Sequence, residues 1–205
     1  MSDLHPDRPG LITGSKCSVL FPMKGEGKAG MRTYANQLAM EKFFGFADEV
    51  STWQMDHGKM AEHFAFLHYQ RYVSDKIEKG GWHRDGDCGG STDAELPNTV
   101  VDFKCPATMK EWLAYLHDGI DKSQEDQLQM YCYLTSKPYG EIAAYLTETQ
   151  KMTDNGITYP VKDEQRMIRI KIEASPEWQA KLVERVPIVI AMRDEFIEQL
   201  NQYFK

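Results

Sequence analysis

The sequence predicts an α+β fold with an α/β-type core: a central mixed β-sheet flanked by helices. Three observations predict it. Segments with helical spacing of apolar residues occur in both halves of the chain. Short β-branched or alternating runs stand near residues 100, 141 and 167. Helices and strands follow one another without strict strand–helix–strand alternation. The 205 residues are 41% apolar, enough to bury a core, so a chain disordered throughout is excluded. One domain over residues 1–205 is expected. No run of 18 apolar residues could span a bilayer, and the polar start MSDLHPDRPG lacks the apolar stretch of a signal peptide. A cytoplasmic location is the expectation. No repeat period is present.

The elements follow in order. Residues 1–11 are rich in proline and aspartate and are expected to form a flexible arm. Thr13 or Ser15 can cap a short helix through Leu20, with Pro22 ending it. Lys24-Gly-Glu-Gly-Lys28 reads as a mobile basic loop. From Ala29 to Phe44, residues Met31, Tyr34, Ala35, Leu38, Met40, Phe43 and Phe44 approximate a helical stripe, and Gly45 stands where a helix C-terminal glycine belongs. Met60, Phe64, Leu67 and Tyr72 predict a helix from about Met55 to Ser74. Residues 75–92 hold five glycines and no apolar period, so they read as a Gly-rich loop.

Val100 to Cys105 is apolar and β-branched, and Pro106 closes it. Side chains alternate along a strand, so Asp102 and Lys104 share one face. Thr108–His117 and Gln124–Leu134 read as helices, Glu141–Thr147 and Met167–Ile172 as strands. Lys151 to Asp163 is a turn-rich loop between them. Ser175-Pro176-Glu177 starts a C-terminal helix over 175–204, with serine as cap and proline at the first position. Pro187 should kink or split it.

Net charge is −7, which argues against a passive nucleic-acid coat held by bulk electrostatics. It leaves room for an enzyme with a local basic patch. Arg8, Lys16, Lys24, Lys28 and Arg32 outnumber Asp3, Asp7 and Glu26 in the first 32 residues, so DNA contact is plausible there; the alternative is an ordinary solvated face. The four cysteines at 17, 88, 105 and 132 show no C-x-x-C spacing and read as thiols. Trp53, Trp82, Trp112 and Trp178 could stack on bases, with burial in the core as the alternative.

The chemistry concentrates between Ser91 and Pro106. Asp93 stands nine residues ahead of Asp102-Phe103-Lys104. That spacing suits two adjacent strands joined by a turn at Leu96-Pro97-Asn98, which would bring Asp93 beside Asp102. Two such carboxylates repel unless a cation lies between them, and an all-oxygen set prefers Mg²⁺ or Mn²⁺. Lys104 could orient or deprotonate a water, or neutralise a phosphate. An exposed hairpin with solvated charges is the plainer reading, but unpaired charge on a buried strand is costly. Glu62, on the helix proposed above, could add a ligand or organise waters. Gln127/Tyr131 and Gln129/Tyr133 each place an amide and a phenol on one helical face, able to bond a phosphate or to pack as core and surface.

Together these pieces resemble the PD-(D/E)XK nuclease superfamily, in particular its lambda-exonuclease-like, YqaJ-type branch of viral recombination exonucleases. The motifs stand in the family's order as Arg8 to Ser15, Gly58 to Glu62, Ser91-Thr-Asp93, Asp102-Phe-Lys104-Cys105-Pro106, and Gln127 to Tyr133. The match covers roughly residues 8–135. Two departures stand out: Asp102 occupies a place where the family more often has glutamate, and Thr92-Asp93-Ala94 replaces a common P-D-G.

The resemblance implies a restriction-endonuclease-like core and Mg²⁺-dependent hydrolysis of phosphodiesters from the ends of linear duplex DNA, 5′ to 3′, in phage-type recombination. It implies that Asp93, Asp102 and the Phe103 carbonyl bind Mg²⁺, with Mn²⁺ able to substitute. Lys104 would position or activate water, and Glu62 would support the metal. Gln129 or Gln127 would hold the water or the scissile phosphate, with Tyr133 beside it. Arg8, Ser15 and Ser91 match positions that contact a terminal 5′-phosphate. A ring-shaped homotrimer around DNA and a single-strand annealing partner are further implications. The alternatives are a related endonuclease, a relative carrying a four-cysteine iron–sulfur site, and a non-catalytic DNA-binding protein on the same fold.

Overall fold

The computed structural model describes residues 5–22, 27–47, 52–147 and 159–205. In chain order it contains β1 (Ile12–Thr13), a 3-10 segment (Gly14–Leu20), α1 (Gly27–Phe44) and α2 (Trp53–Tyr72). Then come β2 (Glu78–Lys79), β3 (Trp82–Asp85), β4 (Cys88–Ser91), β5 (Ala94–Leu96) and β6 (Thr99–Lys104). The rest is α3 (Met109–His117), α4 (Lys122–Thr135), β7 (Tyr139–Tyr145), a second 3-10 segment (Asp163–Gln165), β8 (Met167–Glu173) and α5 (Pro176–Tyr203). The strands make two mixed sheets, of order β2-β5-β6-β7-β8 and β1-β4-β3. The α+β class is as the sequence predicted.

Strand β6 is central, and its sequence shows why. Val100, Val101, Asp102 and Phe103 are all buried, so both faces are covered. Val101 and Phe103 pack with Ala65 and Tyr69 of α2. Val100, on the opposite face by strand alternation, packs with Tyr131 and Cys132 of α4. The pairing of β6 with β7 is parallel, and a parallel pair needs a crossover, which α3 and α4 supply. Thr108 caps α3 by accepting from Glu111 N at 3.2 Å. Asp121 and Gln124 form a reciprocal capping box that starts α4.

A further apolar layer joins α1 to α5. Tyr34, Ala35 and Leu38 pack with Leu182 and Val189, and the Gly14–Leu20 segment adds Cys17 and Leu20. Ser175 caps α5 as expected, accepting from Trp178 N at 3.2 Å, with Pro176 in the first turn. Trp112 and Trp178 are buried, whereas Trp53 is exposed.

Four expectations are corrected. Residues 5–11 are docked: Arg193 Nη1 donates to Gly10 O at 2.9 Å, Gly10 N donates to Glu41 Oε2 at 3.2 Å, and His5 stacks on Trp82 at 4.7 Å. Residues 75–92 are not a loop but carry β2, β3 and β4. Gly86-Asp87 is the two-residue hairpin turn: Asp85 pairs with Cys88, and Gly86 has φ +55°, which glycine adopts without strain. The glycines of β4 hid the strand, because the large neighbours Trp82 and Tyr131 occupy the space their side chains would take. Gly27 and Lys28 open α1 rather than a loop; the rest of that expected loop, residues 24–26, lies outside the described residues, as does most of Lys151–Asp163. Finally, of the kink or split expected at Pro187, the split does not occur, for α5 is one helix from Pro176 to Tyr203. Val183, whose carbonyl loses its helical partner, is exposed to water, and buried Leu182 and Val189 anchor the helix on both sides of the proline.

Candidate active site

The antiparallel register of β5 and β6 pairs Ala94 with Val101. One step further sets Asp93 opposite Asp102, as the nine-residue spacing predicted. The contact is tight, for the backbone N–H of Phe103 donates to Asp93 Oδ2 at 2.7 Å. Lys104 Nζ lies 2.7 Å from Asp102 Oδ2, on the face the alternation assigned to both. From α4, Gln127 Nε2 donates to Asp102 Oδ1 at 3.0 Å and to Tyr131 Oη at 2.9 Å, while Lys104 Nζ donates to Gln127 Oε1 at 3.3 Å. Glu62 comes from α2. All six line one cleft of about 900 Å³, which also takes in Phe103, Cys105, Pro106, Tyr115 and Gln124.

The electrostatics are those of crowded acids. Burial raises the Asp93 carboxyl well above its ordinary range, and the charges of Asp102 and Glu62 add to this against the Phe103 hydrogen bond. Glu62 is also raised, by burial and then by Asp102, with Lys104 and Lys79 opposing. At Lys104 burial would lower the ammonium, but Asp102 beside it wins and the net direction is upward. Lys104 is thus held as a cation beside Asp102 in the free protein.

The donor set fits a hard cation. Asp102 Oδ2 is buried and accepts no hydrogen bond of acceptable geometry, although Lys104 is near it. Asp93 and Asp102 are adjacent oxygen donors. Among the described residues no three acids, histidines or cysteines converge as a closed cage. The adjacent pair Asp93 and Asp102 matches the one or two carboxylates that Mg²⁺ takes together with waters and substrate phosphate.

The two glutamine–tyrosine pairs separate. Gln127 and Tyr131 face the cleft. Gln129 does not: it is buried on another face of α4, donating to Glu173 O at 2.8 Å and accepting from Ser175 N at 2.8 Å, so it ties β8 to α5. Tyr133 bonds Asp85 at the β3–β4 turn and is also away from the cleft. Helical geometry explains this, since two residues differ by about 200° around a helix, so both pairs cannot face one site. Tyr131 is the phenol of the site, and burial, then Asp102 and Asp93, push its pKa well up.

Of the residues expected at a 5′-phosphate, Ser91 ends β4 of the neighbouring sheet, Ser15 is in the first 3-10 segment and Arg8 precedes β1. Parallel pairing of β1 with β4 ends at Thr13 opposite Gly89, and the 3-10 segment that begins at Gly14 carries Ser15, while Ser91 ends β4. A side chain at Gly14 or Gly90 would collide with the Tyr131 ring, at 2.6 and 2.9 Å. Ser15 and Ser91 are exposed, each one residue beyond those glycines. Lys16 is exposed and Arg8 half-buried; neither side chain makes an ion pair among the described residues. Arg32 is exposed on α1 and pairs with Glu195 of α5 at 3.7 Å, a surface contact away from the cleft. The side chain of Lys28 lies outside the described residues. Tyr115, Gln124 and His57 also line the cleft and were not singled out in the sequence; the capping box alone would have drawn attention to Gln124.

No family model and no curated protein matches the sequence. Solved structures share its fold. An alkaline exonuclease, LHK-Exo, from Laribacter hongkongensis superposes with a TM-score of 0.77 at 18% identity, over 96% of this chain and 94% of that one. The same exonuclease in complex with dAMP gives 0.76 at 19% identity, with 96% and 94% covered. A phage-related exonuclease from Haemophilus somnus 129PT gives 0.70 at 15% identity, with 95% and 96% covered. The chain has the fold of these exonucleases, which is the fold its motif order implied.

Proposed function

We propose that this protein is a metal-dependent exonuclease that hydrolyses phosphodiester bonds at the ends of linear duplex DNA. The observation that carries the reading is the convergence of Asp93, Asp102, Lys104 and Gln127 in one cleft. The shared fold with two exonucleases supports it. Asp93, Asp102 and the Phe103 carbonyl would hold Mg²⁺, with Mn²⁺ able to replace it and Glu62 beside them. When bound, the ion supplies Lewis acidity toward a water and toward phosphate charge. The chain's own residues do the rest. Lys104 places a cation next to Asp102, and Gln127 fixes both by donating to one and accepting from the other. Burial of Asp102 strengthens these interactions.

The finer reading follows the motif resemblance. Ser15, Ser91 and Arg8 receive a terminal 5′-phosphate, giving 5′-to-3′ polarity, and the protein acts in phage-type recombination beside a single-strand annealing protein. A ring of three copies would enclose the DNA. A cytoplasmic site of action fits this role, and among the described residues no helix is long and apolar enough to cross a membrane.

The test is incubation with linear duplex DNA bearing a 5′-phosphate, with and without Mg²⁺, beside a closed circle and the Asp102→Asn variant. Mg²⁺-dependent mononucleotide release from the linear DNA alone, absent in the variant, is the expected result. Cutting of the circle would make it an endonuclease. A folded protein that binds DNA and cuts neither would be a binding module.

A further inference from the structure

Tyr115, on α3, lines the cleft close enough to Lys104 and Asp102 to feel their charges. Its hydroxyl oxygen accepts from Gln124 Nε2 at 2.8 Å. The direction of that bond is fixed from outside the cleft. Gln124 Oε1 is engaged by the backbone N–H of Asp121 at 3.2 Å, and Asp121 Oδ1 by the backbone N–H of Gln124 at 2.9 Å. An amide whose oxygen faces a backbone donor has only its NH₂ to present on the other side. The Tyr115 oxygen must therefore accept, and its proton has no acceptor among the described residues. The helix cap thus sets the polarity of a hydroxyl in the cleft.

The lining of that cleft has more carboxylates than lysines. A polyanion entering it benefits from donors, and a neutral phenol can bond a phosphate oxygen without neutralising the acids that would hold a metal. Burial outweighs the opposing effects of the Gln124 bond and the Lys104 charge, so the phenol keeps its proton above the ordinary range. We propose that Tyr115, oriented by Gln124, is a further substrate-contacting residue that donates its phenolic hydrogen to a phosphate oxygen of the DNA strand in the cleft. The proposal rests on the nuclease reading of that cleft.

Two variants test it. Tyr115→Phe removes only the hydroxyl. Gln124→Glu keeps a residue at N3 that completes a capping box, but a carboxylate only accepts, so it turns the Tyr115 proton away from the cleft. Each should lower kcat/KM on linear duplex DNA by about ten-fold or more, as expected for loss of one bond to a charged group. Melting temperature should stay near wild type. The double variant should be no worse than Tyr115→Phe alone, because both remove one donor. Affinity for a phosphorothioate-ended duplex, measured with and without Mg²⁺, should fall in the same two variants. If both variants match wild type while Asp102→Asn is inert, the role of Tyr115 is overturned and the nuclease reading stands. If only Tyr115→Phe is impaired, orientation by Gln124 is overturned. A wild-type protein that neither binds nor cuts DNA would overturn the nuclease reading and this proposal with it.

Discussion

The Phe103 backbone N–H donates to Asp93 Oδ2 at 2.7 Å, which holds one cleft carboxylate against the strand that carries the other. A donor of β6 is used to keep like charges together. Burial and the charges of Asp102 and Glu62 both raise the Asp93 carboxyl, so its ionised form costs the fold stability. Asp93→Asn keeps an oxygen for the Phe103 N–H and removes the charge. It should melt a few degrees higher than wild type at neutral pH without divalent cations, and lose roughly 100- to 1,000-fold in DNA hydrolysis. The sign with pH follows from linkage. The folded pKa is raised, so the cost is present above it and absent below the ordinary carboxylate value, and the advantage of the variant should vanish as pH falls below about 4. Mg²⁺ should raise the melting temperature of wild type and leave that of the variant unchanged. Calorimetry across pH, with and without Mg²⁺, measures the three thermal outcomes, and mononucleotide release from linear DNA measures the fourth.

Gln127 and Gln129 stand two residues apart and should respond in opposite ways. Gln127→Leu breaks the bridge among Lys104, Asp102 and Tyr131, so activity should fall about 10- to 100-fold with little loss of stability. Gln129→Leu leaves Ser175 N–H and Glu173 O without their partner. It should cost roughly 1–3 kcal/mol of stability, while kcat per folded molecule is retained. Urea titration beside active-site-normalised kinetics separates the two effects.

Glu95 supplies a titration outside the cleft. Burial alone would raise its carboxyl, but hydrogen bonds from Lys137, Thr92 and His83 bring it from 4.5 down to about 2. Lys137 Nζ and His83 Nε2 each stand 2.6 Å from it. A lowered carboxylate pKa adds stability above the unfolded value, and that stability is lost as pH falls through the folded value. Wild type should therefore lose stability between pH 4.5 and about 2 more steeply than Glu95→Gln. Denaturant midpoints across that range give the comparison.

Much of this was legible before the fold was known, for reasons that particular residues make plain. Asp102 and Lys104 were placed on one face because strand alternation is rigid, and the turn at Pro97-Asn98 set the partner of Asp102. The choice between Gln127 and Gln129 was not legible. It depends on which side of α4 meets β6, a tertiary fact that the two overlapping patterns leave open. The strands between 78 and 91 were missed because Gly89 and Gly90 give no apolar signal; their meaning lies in the bulk of Trp82 and Tyr131 against them. The docking of the N-terminal segment was missed because its anchor, Arg193, is about 180 residues away in sequence, and no local pattern reports such a contact.

Arg193 is therefore the residue on which the last prediction turns. It is buried, and its guanidinium reaches Gly10 O at 2.9 Å, Asp87 Oδ1 at 2.9 Å and Asp194 Oδ1 at 2.9 Å. It joins α5 to both the N-terminal segment and the β3–β4 turn. Burial would lower its pKa, but Asp194 and Asp87 raise it, so it remains charged. Arg193→Met keeps the apolar stem and removes every one of these donors. Asp87 is 39% exposed in its side chain and can return to water, which limits the penalty to roughly 2–3 kcal/mol instead of the full cost of a stranded buried charge. Arg193→Lys should recover less than half of that loss, because one ammonium cannot span partners that a planar fork reaches together. The loss should be local before it is global. Residues 5–11 should become sensitive to protease at temperatures where α1 and β6 are still protected from hydrogen exchange. Arg8 sits on that segment, so affinity for a 5′-phosphorylated end should drop with it while Mg²⁺ binding at Asp93 and Asp102 is unaffected. Limited proteolysis, hydrogen exchange and end-binding measured on the same variant would show whether the segment and the cleft separate in this way.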